Sequence, residues 1–241
     1  MNPKPTQSKS IRAQLLSAMR DGEYAHCDRL PRESALSEKL GISRTQLRDI
    51  LASLDREGFI TRRHGVGTII NRHVLGAQAR MDIEVEFMDM IRQSGRTPGV
   101  AFVRAADGVA DEKAARQLGI PVGTAMLRIS RLCTADGRPA IYCEDLVEKS
   151  KLQRPYTDAE LRQPIFDFLQ NVCGLSSYLD LTDLRAVAAD PFLAGVFQVP
   201  EGTPLLSMDE VDYDIDGAPV FVSREYFADG IFRHTVLRKK L

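Results

Sequence analysis

Residues 41–68 read GISRTQLRDILASLDREGFITRRHGVGT, and the chemistry of the run divides it into a helix and a hairpin. Leu47, Ile50, Leu51 and Leu54 recur at the i, i+3, i+4, i+7 spacing that places apolar side chains on one helix face. Burying that stripe leaves Arg44, Thr45 and Arg48 projecting elsewhere, from the first turn and a half. Ser43 stands where an N-cap belongs, its hydroxyl able to accept an orphan backbone N–H, and Gln46 three places on completes a capping-box pattern. Gly58 closes the helix at Glu57. Beyond it FITRRHGVGTII alternates apolar and polar residues about a glycine turn. That predicts a two-stranded hairpin over Thr61–Ile70 with Arg62, Arg63 and His64 at a basic tip.

Upstream, LPRESALSEKLG (30–41) sets Pro31 near a helix start, Leu36 and Leu40 on one face, and Gly41 as a stop. Ile11, Leu15 and Met19, with Leu16 beside them, predict an earlier helix ended by Asp21-Gly22. Two short helices joined at Gly41-Ile42, the second with donors exposed at its start, make a helix-turn-helix. In that geometry the first residues of the second helix reach base edges in the major groove. A basic hairpin beside it suits phosphates or the narrow minor groove. Gly65 and Gly67 are not a nucleotide cradle, because no helix follows them and a third glycine is missing. Each arginine alone reads as a solvated surface charge; helix, turn and hairpin together supply a docking geometry.

The stretch LPRESALSEKLGISRTQLRDILASLDREGFITRRHGVGT (30–68) resembles the winged helix-turn-helix of the GntR family of bacterial transcription regulators. Leu30, Pro31, Glu33 and Leu36 match the family's L-P-S-E-R-x-L-A; Ser43, Arg44, Leu47 and Arg48 match its V-S-R-x-T-V-R-x-A-L; Gly65, Gly67 and Thr68 match the G-x-G-T of its wing. The chain departs where the family has arginine after Pro-x-Glu: Ser34 stands there, and Arg32 appears two places earlier. Gln46 replaces the commoner threonine of the recognition helix and is suited to adenine. The resemblance implies a double-stranded DNA operator, contacted by Arg32, Ser34, Ser43, Arg44, Thr45, Gln46, Arg48, Arg62, Arg63, His64, Gly65, Gly67 and Thr68.

Bulk numbers agree with a divided chain. At 241 residues it suits about two domains. Residues 1–75 hold 13 lysines and arginines against 8 acidic residues, and residues 76–241 hold 19 against 25. A basic first part points to a polyanion partner. No run of about 18 apolar residues exists, which excludes a transmembrane helix. The polar start MNPKPTQSKS lacks a signal core, so a cytoplasmic location is expected. Cys27, Cys133, Cys143 and Cys173 show no metal-ligand spacing and read as free thiols, and neither metal nor cofactor is expected.

Residues 71–82 have no hydrophobic period and read as a linker, followed by a helix to Gly95 that buries Phe87, Met90 and Ile91. VAFVRA is strand-like, Asp111 caps a helix ending at Gly119, Pro164 starts one striped by Ile165, Phe168, Leu169 and Val172, and Asp190-Pro191 begins another. Most informative is an internal repeat. IPVGTAMLRISRLCTADGRPAIYCEDL (120–146) aligns with VPEGTPLLSMDEVDYDIDGAPVFVSREYF (199–227), each reading as a strand, an Asp-Gly turn and a returning strand. Two hairpins in one antiparallel sheet with helices on one face give an α+β domain. The P-x-G-T-P-L-L and Y-x-x-D-G-x-P stretches (200–206 and 213–219) resemble the UTRA domain of the HutC branch, which shares the chorismate lyase fold.

That resemblance divides the chain into a winged helix-turn-helix at 1–72, a linker and connecting helix at 73–94, and an effector-binding and dimerisation domain at 95–241. It implies a homodimeric, ligand-responsive regulator, most simply a repressor, with a small anionic effector. By position the effector residues are Arg131, Glu144, Arg224, Glu225 and Tyr226. An arginine in a core must meet a carboxylate or an anionic ligand, so internal Arg131–Glu144 or Arg224–Glu210 pairs are the competing reading. Cys133 and Pro164 stand where the family often has arginine and serine, which counts against a phosphosugar. A lyase acting on a small carboxylate is the rival function. His26, His64, His73 and His234 all lie outside the repeated hairpins, and no nucleophile or metal motif supports catalysis.

Overall fold

A computed structural model of the chain describes residues 7–77 and 79–239; part of the amino-terminal stretch read for export lies outside them. The chain divides into two compact units, one within Met1–Glu84 and His234–Leu241, the other Val85–Arg233.

The first unit opens with α1 (Gln7–Arg20), α2 (Glu33–Leu40) and α3 (Arg44–Arg56). Ile11, Leu15 and Met19 of α1, Leu36 of α2 and the α3 stripe Leu47, Ile50, Leu51 and Leu54 form one buried core. Gly41 ends α2 at φ 63°, and its N–H turns back to the Glu38 and Ser37 carbonyls. This left-handed residue costs glycine no side-chain clash, and it lets α3 start three residues later. The Ser43 hydroxyl accepts the Gln46 N–H at 3.1 Å, satisfying one of the four orphan donors of the helix. β1 (Ile60–Arg63) and β2 (Gly67–Ile70) then pair antiparallel, from Ile60 opposite Ile70 to Arg63 opposite Gly67. A third segment joins them: the Leu30 N–H bonds to the Thr68 carbonyl at 2.9 Å and the Ile70 N–H to the Asp28 carbonyl at 2.8 Å.

The stretch read as a linker is partly packed. α4 (Arg72–Leu75) buries Val74 and Leu75 in the first core, and β3 (Ala79–Arg80) is buried too. Two adjacent apolar residues are too few to show a period, so the sequence gives no sign of it.

The second unit begins with α5 (Phe87–Gln93), which buries Ile91 while Phe87 and Met90 are only half-buried. Next come β4 (Pro98–Val109), α6 (Glu112–Leu118), β5 (Ala125–Ala135) and β6 (Arg138–Glu148). The turns α7 (Asp158–Leu161) and α8 (Ile165–Phe168) follow, the latter continued by one π turn to Cys173. β7 (Leu179–Ala188), α9 (Pro191–Phe197), β8 (Pro204–Tyr213) and β9 (Pro219–Ala228) complete the unit. The strands form one antiparallel six-stranded sheet in the order β4-β5-β6-β9-β8-β7.

The repeat is therefore larger than the hairpins. Each half is a strand, a helix and a hairpin, and the junctions match bond for bond. The Ala110 N–H bonds to the Thr124 carbonyl and the Gly123 N–H to Ala110; Ala189, Thr203 and Gly202 repeat both bonds. Asp111 caps α6 through the Ala114 N–H as Asp190 caps α9 through the Leu193 N–H, both at 2.8 Å. Helices cover both faces of the sheet, not the single face expected. α6 and α9 pack on one with Met126, Leu132 and Val222. α7, α8 and the π turn pack on the other with Ile129, Val147 and Phe221. Covering both faces follows from alternation, since apolar residues fall at odd and even positions along β5 and β6 alike.

Beyond Arg233 the chain re-enters the first unit. β10 (His234–Thr235) pairs parallel with β3, Leu237 packs against the first core, and Lys239 donates to the Asp55 and Arg56 carbonyls at the end of α3. A cation there satisfies orphan carbonyls and faces the negative end of the helix dipole.

One asymmetry between the halves is testable. After α6 the left-handed position is Gly119 (φ 66°); after α9 it is Gln198 (φ 56°). A side chain in that conformation costs about 1 kcal/mol. Gln198→Gly is expected to stabilise the second unit by roughly 0.5–1 kcal/mol and Gly119→Gln to destabilise it by a similar amount, as read by urea denaturation.

Candidate nucleic-acid interface and effector site

Burial of the α3 stripe settles what α3 presents. Arg44, Thr45 and Arg48 are exposed, with Ser43 beside them and Gln46 half-buried. Arg62, Arg63, His64, Gly65 and Gly67 are exposed on the hairpin, and Arg32 and Ser34 at the entry to α2. Thr68 differs from its companions. It shares the inward side of the hairpin with Ile60 and Ile70 and is buried.

Glu33 connects these elements. One carboxylate oxygen accepts Arg48 Nε at 2.8 Å and the other accepts Arg62 Nη2 at 3.1 Å. Arg48 nevertheless stays 64% exposed. The Arg48 guanidinium, with Arg62 behind it, holds the Glu33 carboxyl below its ordinary range. The bridge orients two guanidinium groups from separate elements toward one side. Between the Arg29–Glu33 segment and the hairpin lies an open cleft of about 740 Å³. Arg29 lines it and donates to the Val66 carbonyl at 3.1 Å. The sequence reading missed Arg29, which stands outside the helix period and the hairpin.

In the second unit the five effector candidates divide between the two faces of the sheet. Arg131 lies opposite Cys143, and Cys143 opposite Glu225; Ser130 lies opposite Glu144, and Glu144 opposite Arg224. Arg131 and Glu225 therefore share the face covered by α7 and α8, while Glu144, Arg224 and Tyr226 point to the other. Neither expected ion pair forms. Buried Arg131 lies 3.9 Å from Asp145, and its Nη2 donates to the Leu161 and Gln163 carbonyls at 3.1 and 3.0 Å. Arg224 donates to Asp209 at 2.6 Å, and Glu144 accepts the Tyr142 hydroxyl at 2.8 Å. The reason is the two-residue period of a strand: Arg131 and Glu144 stand on opposite faces, as do Arg224 and Glu210.

Beside Arg131, and across the same face of the sheet as far as β8, stand acids that sequence reasoning did not select. Asp145 is buried, accepts Ser223 Oγ at 2.8 Å, and keeps its second oxygen without a hydrogen bond. Burial pushes Glu86, Glu210 and Asp212 up to about 7. Glu210 accepts Thr182 Oγ1 at 2.9 Å, and Asp212 accepts Ser177 Oγ at 2.7 Å. For Glu210 and Asp212 a signal existed: EVDY (210–213) alternates acids with apolar residues inside a strand, which puts both carboxylates on one face. The other face holds a cleft of about 200 Å³ lined by Lys113, Arg128, Glu144, Asp209 and Arg224 among others. All four cysteines are free thiols, and no helix among the described residues is long and apolar enough to cross a membrane.

A winged helix-turn-helix joined to a double-repeat sheet with a buried arginine defines a ligand-responsive, DNA-binding transcription regulator. The family models agree. Residues 7–70 match the bacterial regulatory proteins of the gntR family and residues 93–233 match the UTRA domain. The chain belongs to this UTRA-bearing gntR family of regulators. An uncharacterized HTH-type transcriptional regulator of Rhizobium meliloti strain 1021 is 26% identical over 91% of this chain and 90% of its own length. The HTH-type transcriptional repressor NagR of Bacillus subtilis is 24% identical over 84% of this chain and 82% of its own. In three dimensions the possible transcriptional regulator YydK of Bacillus subtilis superposes with a TM-score of 0.77 at 16% identity, over 97% of this chain and 99% of that one.

The raised acids set a pH dependence. Glu86 and Glu210 keep their protons in the fold up to about 7, against an ordinary 4.5, and Asp212 does so against 3.8. Between those limits the folded state binds more protons than the unfolded one, so stability falls as pH rises. The melting temperature is expected to drop from pH 5 to pH 8, and Glu210→Gln with Asp212→Asn is expected to flatten that slope. A calorimetric pH series checks both.

Proposed function

We propose that the chain is a homodimeric repressor of the HutC branch, working in the cytoplasm on a palindromic operator. The observation that carries this reading is the exposed guanidinium set at the start of α3 and along β1, tied together by Glu33. Arg44, Thr45, Gln46 and Arg48 then read base edges in the major groove, and Arg62, Arg63 and His64 lie along the backbone or in the minor groove. Arg32, Ser34, Ser43, Gly65 and Gly67 meet phosphates from the flanking surface. Thr68 serves the hairpin's inner side instead. Arg29 joins the set as a cation at the cleft. In this reading the DNA-binding part runs to residue 72, the connector over 73–94, and the sensing and dimerising part from 95, with its last residues built back into the first unit. Repression is supported by the similarity to the repressor NagR.

The effector site we assign to the Arg131 face. The Arg131 Nε has no partner and suits an anionic group of the ligand, while Asp145 and Glu225 on the same face suit a positive one. The effector is thus an acid that also carries an amine or similar cation. Release follows if the ligand prefers a dimer whose two α3 helices cannot span both half-sites, since only differential affinity shifts such an equilibrium. The relatives named above are regulators, which supports a sensor rather than the lyase this fold also serves.

Arg44→Ala and Arg48→Ala are each expected to weaken operator binding by roughly ten- to a hundredfold if the side chain reads a base. Arg63→Ala is expected to lower the slope of log K against log salt by about 0.9, the value for one phosphate contact. Fluorescence anisotropy with DNA from upstream of the chain's own gene reads both, and no binding to any such fragment overturns the regulator reading. In a thermal-shift panel, amino-acid-like zwitterions are expected to raise the melting temperature more than plain carboxylates or plain amines. A response confined to plain anions removes the assigned role of the acids.

A further inference from the structure

The repeat in the second unit allows one helix–sheet junction to be compared with another in the same chain. Between α6 and the sheet lies a cleft of about 200 Å³. Counting from the capping aspartates, Lys113 and Gln117 of α6 stand where α9 has Phe192 and Val196. Counting from Gly137 and Gly217, Val222 and Leu146 on the floor stand where the second half has Tyr142 and Tyr226. Under α9 those positions are filled. The Tyr142 ring meets Phe192 edge-on at 5.6 Å and stacks on Tyr226 at 6.3 Å. Under α6 aliphatic and charged groups take the same places, and the space stays open.

The charges around the opening are unevenly paired. Asp209, which is buried, accepts Lys113 Nζ at 2.7 Å and Arg224 Nε at 2.6 Å, so both of those cations are spent on one carboxylate. On β5, Arg128 is exposed and meets no hydrogen-bond or ion-pair partner among the described residues. Glu144 accepts the Tyr142 hydroxyl on one oxygen at 2.8 Å, and its other oxygen is unbonded among the described residues. Arg128 lies opposite Leu146 and Glu144 opposite Ser130. The two charges are therefore diagonal neighbours on adjacent strands, about 7–8 Å apart, and they form no ion pair. A guanidinium and a carboxylate held apart over an apolar floor offer one bidentate donor and one acceptor to the same small molecule.

We propose that this cleft is a second ligand site, separate from the Arg131 face, for a small monocarboxylic acid with a hydroxyl or ammonium on the carbon beside the carboxylate. The planar fork of Arg128 takes the carboxylate, Glu144 accepts the neighbouring donor, and Leu146 and Val222 receive the short hydrocarbon. Glu144 repels a second anionic group at that distance, which sets dicarboxylates and phosphorylated acids aside. The volume sets the size. At roughly 30 Å³ for each water displaced, the opening holds about seven non-hydrogen atoms.

Two-dimensional amide NMR of the full chain tests the site, because it reports position as well as binding. L-Lactate, L-alanine and propionate share a carboxylate and nearly a size, and only the first two carry the donor. Lactate or alanine is expected to shift the Gln117 and Leu146 amides saturably, with a dissociation constant roughly threefold or more below that of propionate. The tighter of the two identifies the donor as hydroxyl or ammonium. Arg128→Gln is expected to weaken all three roughly tenfold or more, and Glu144→Ala to remove the preference over propionate, with spectra elsewhere unchanged. Shifts confined to Cys143 and Gln163, beside Arg131, put the ligand in the effector site and overturn the second one. Cleft shifts that never saturate, or that Arg128→Gln leaves intact, overturn it as well. A preference that survives Glu144→Ala overturns the assigned donor contact.

Discussion

A helix has only one face to bury, and in α3 that face is fully taken by Leu47, Ile50, Leu51 and Leu54. Everything the first unit offers to a partner depends on this. At roughly 1.5–3 kcal/mol for each buried aliphatic side chain, rotating the stripe away from the core would cost more than any surface ion pair returns. Arg44 and Arg48 are therefore held outward by packing beneath them. Glu33 acts on a smaller scale. Its contacts with Arg48 and Arg62 are half-exposed and weak as stabilising interactions, but they reduce the freedom of two long side chains on different elements. Ordering side chains in advance lowers the entropy that any contact made by them has to offset.

This part of the fold was legible because its signals are local. A 3.6-residue stripe, an N-cap serine and a left-handed glycine each report on their own few residues, and Ser43 and Gly41 do what their types imply. The third segment of the wing was not legible. Asp28 and Leu30 pair with the hairpin through backbone groups, and a backbone bond leaves no mark on side-chain choice. The tail past Arg233 escaped for a related reason: Leu237 and Lys239 find their partners some 180 residues away in sequence.

The second unit shows where local reasoning stops. Its repeat was visible in the Pro-x-Gly-Thr and Asp-Gly-x-Pro stretches because turns demand particular residues. The matching Ala-Asp at 110–111 and 189–190, each ten residues before its proline, carried the same information and extends the repeat to strand and helix. Pairing partners were harder. Arg131 with Glu144 looked reasonable by proximity along a hairpin, yet strand alternation separates them onto opposite faces, and Asp145, one residue on, takes the place. A one-residue error in strand position is a complete error in environment. Parity along each strand, applied before charges are matched, would have sorted Arg131 and Glu225 from Glu144, Arg224 and Tyr226.

The same alternation explains why a duplicated fold need not have two equivalent sites. Both halves place a polar residue at matched positions, but the covered faces differ in charge. β5 contributes Arg131 to its face, whereas β8 contributes Glu210 and Asp212 to the continuation of that face across the sheet. One basic and several acidic groups are thus buried on a single surface, and water cannot screen them from one another. Such a surface is stable in two ways only: the acids hold protons, or a positive group enters among them. The first describes the chain alone, with Glu86, Glu210 and Asp212 raised to about 7. The second describes a ligand whose arrival changes the charge state of the face. Proton release and the entry of a positive group are then linked through the same buried carboxylates.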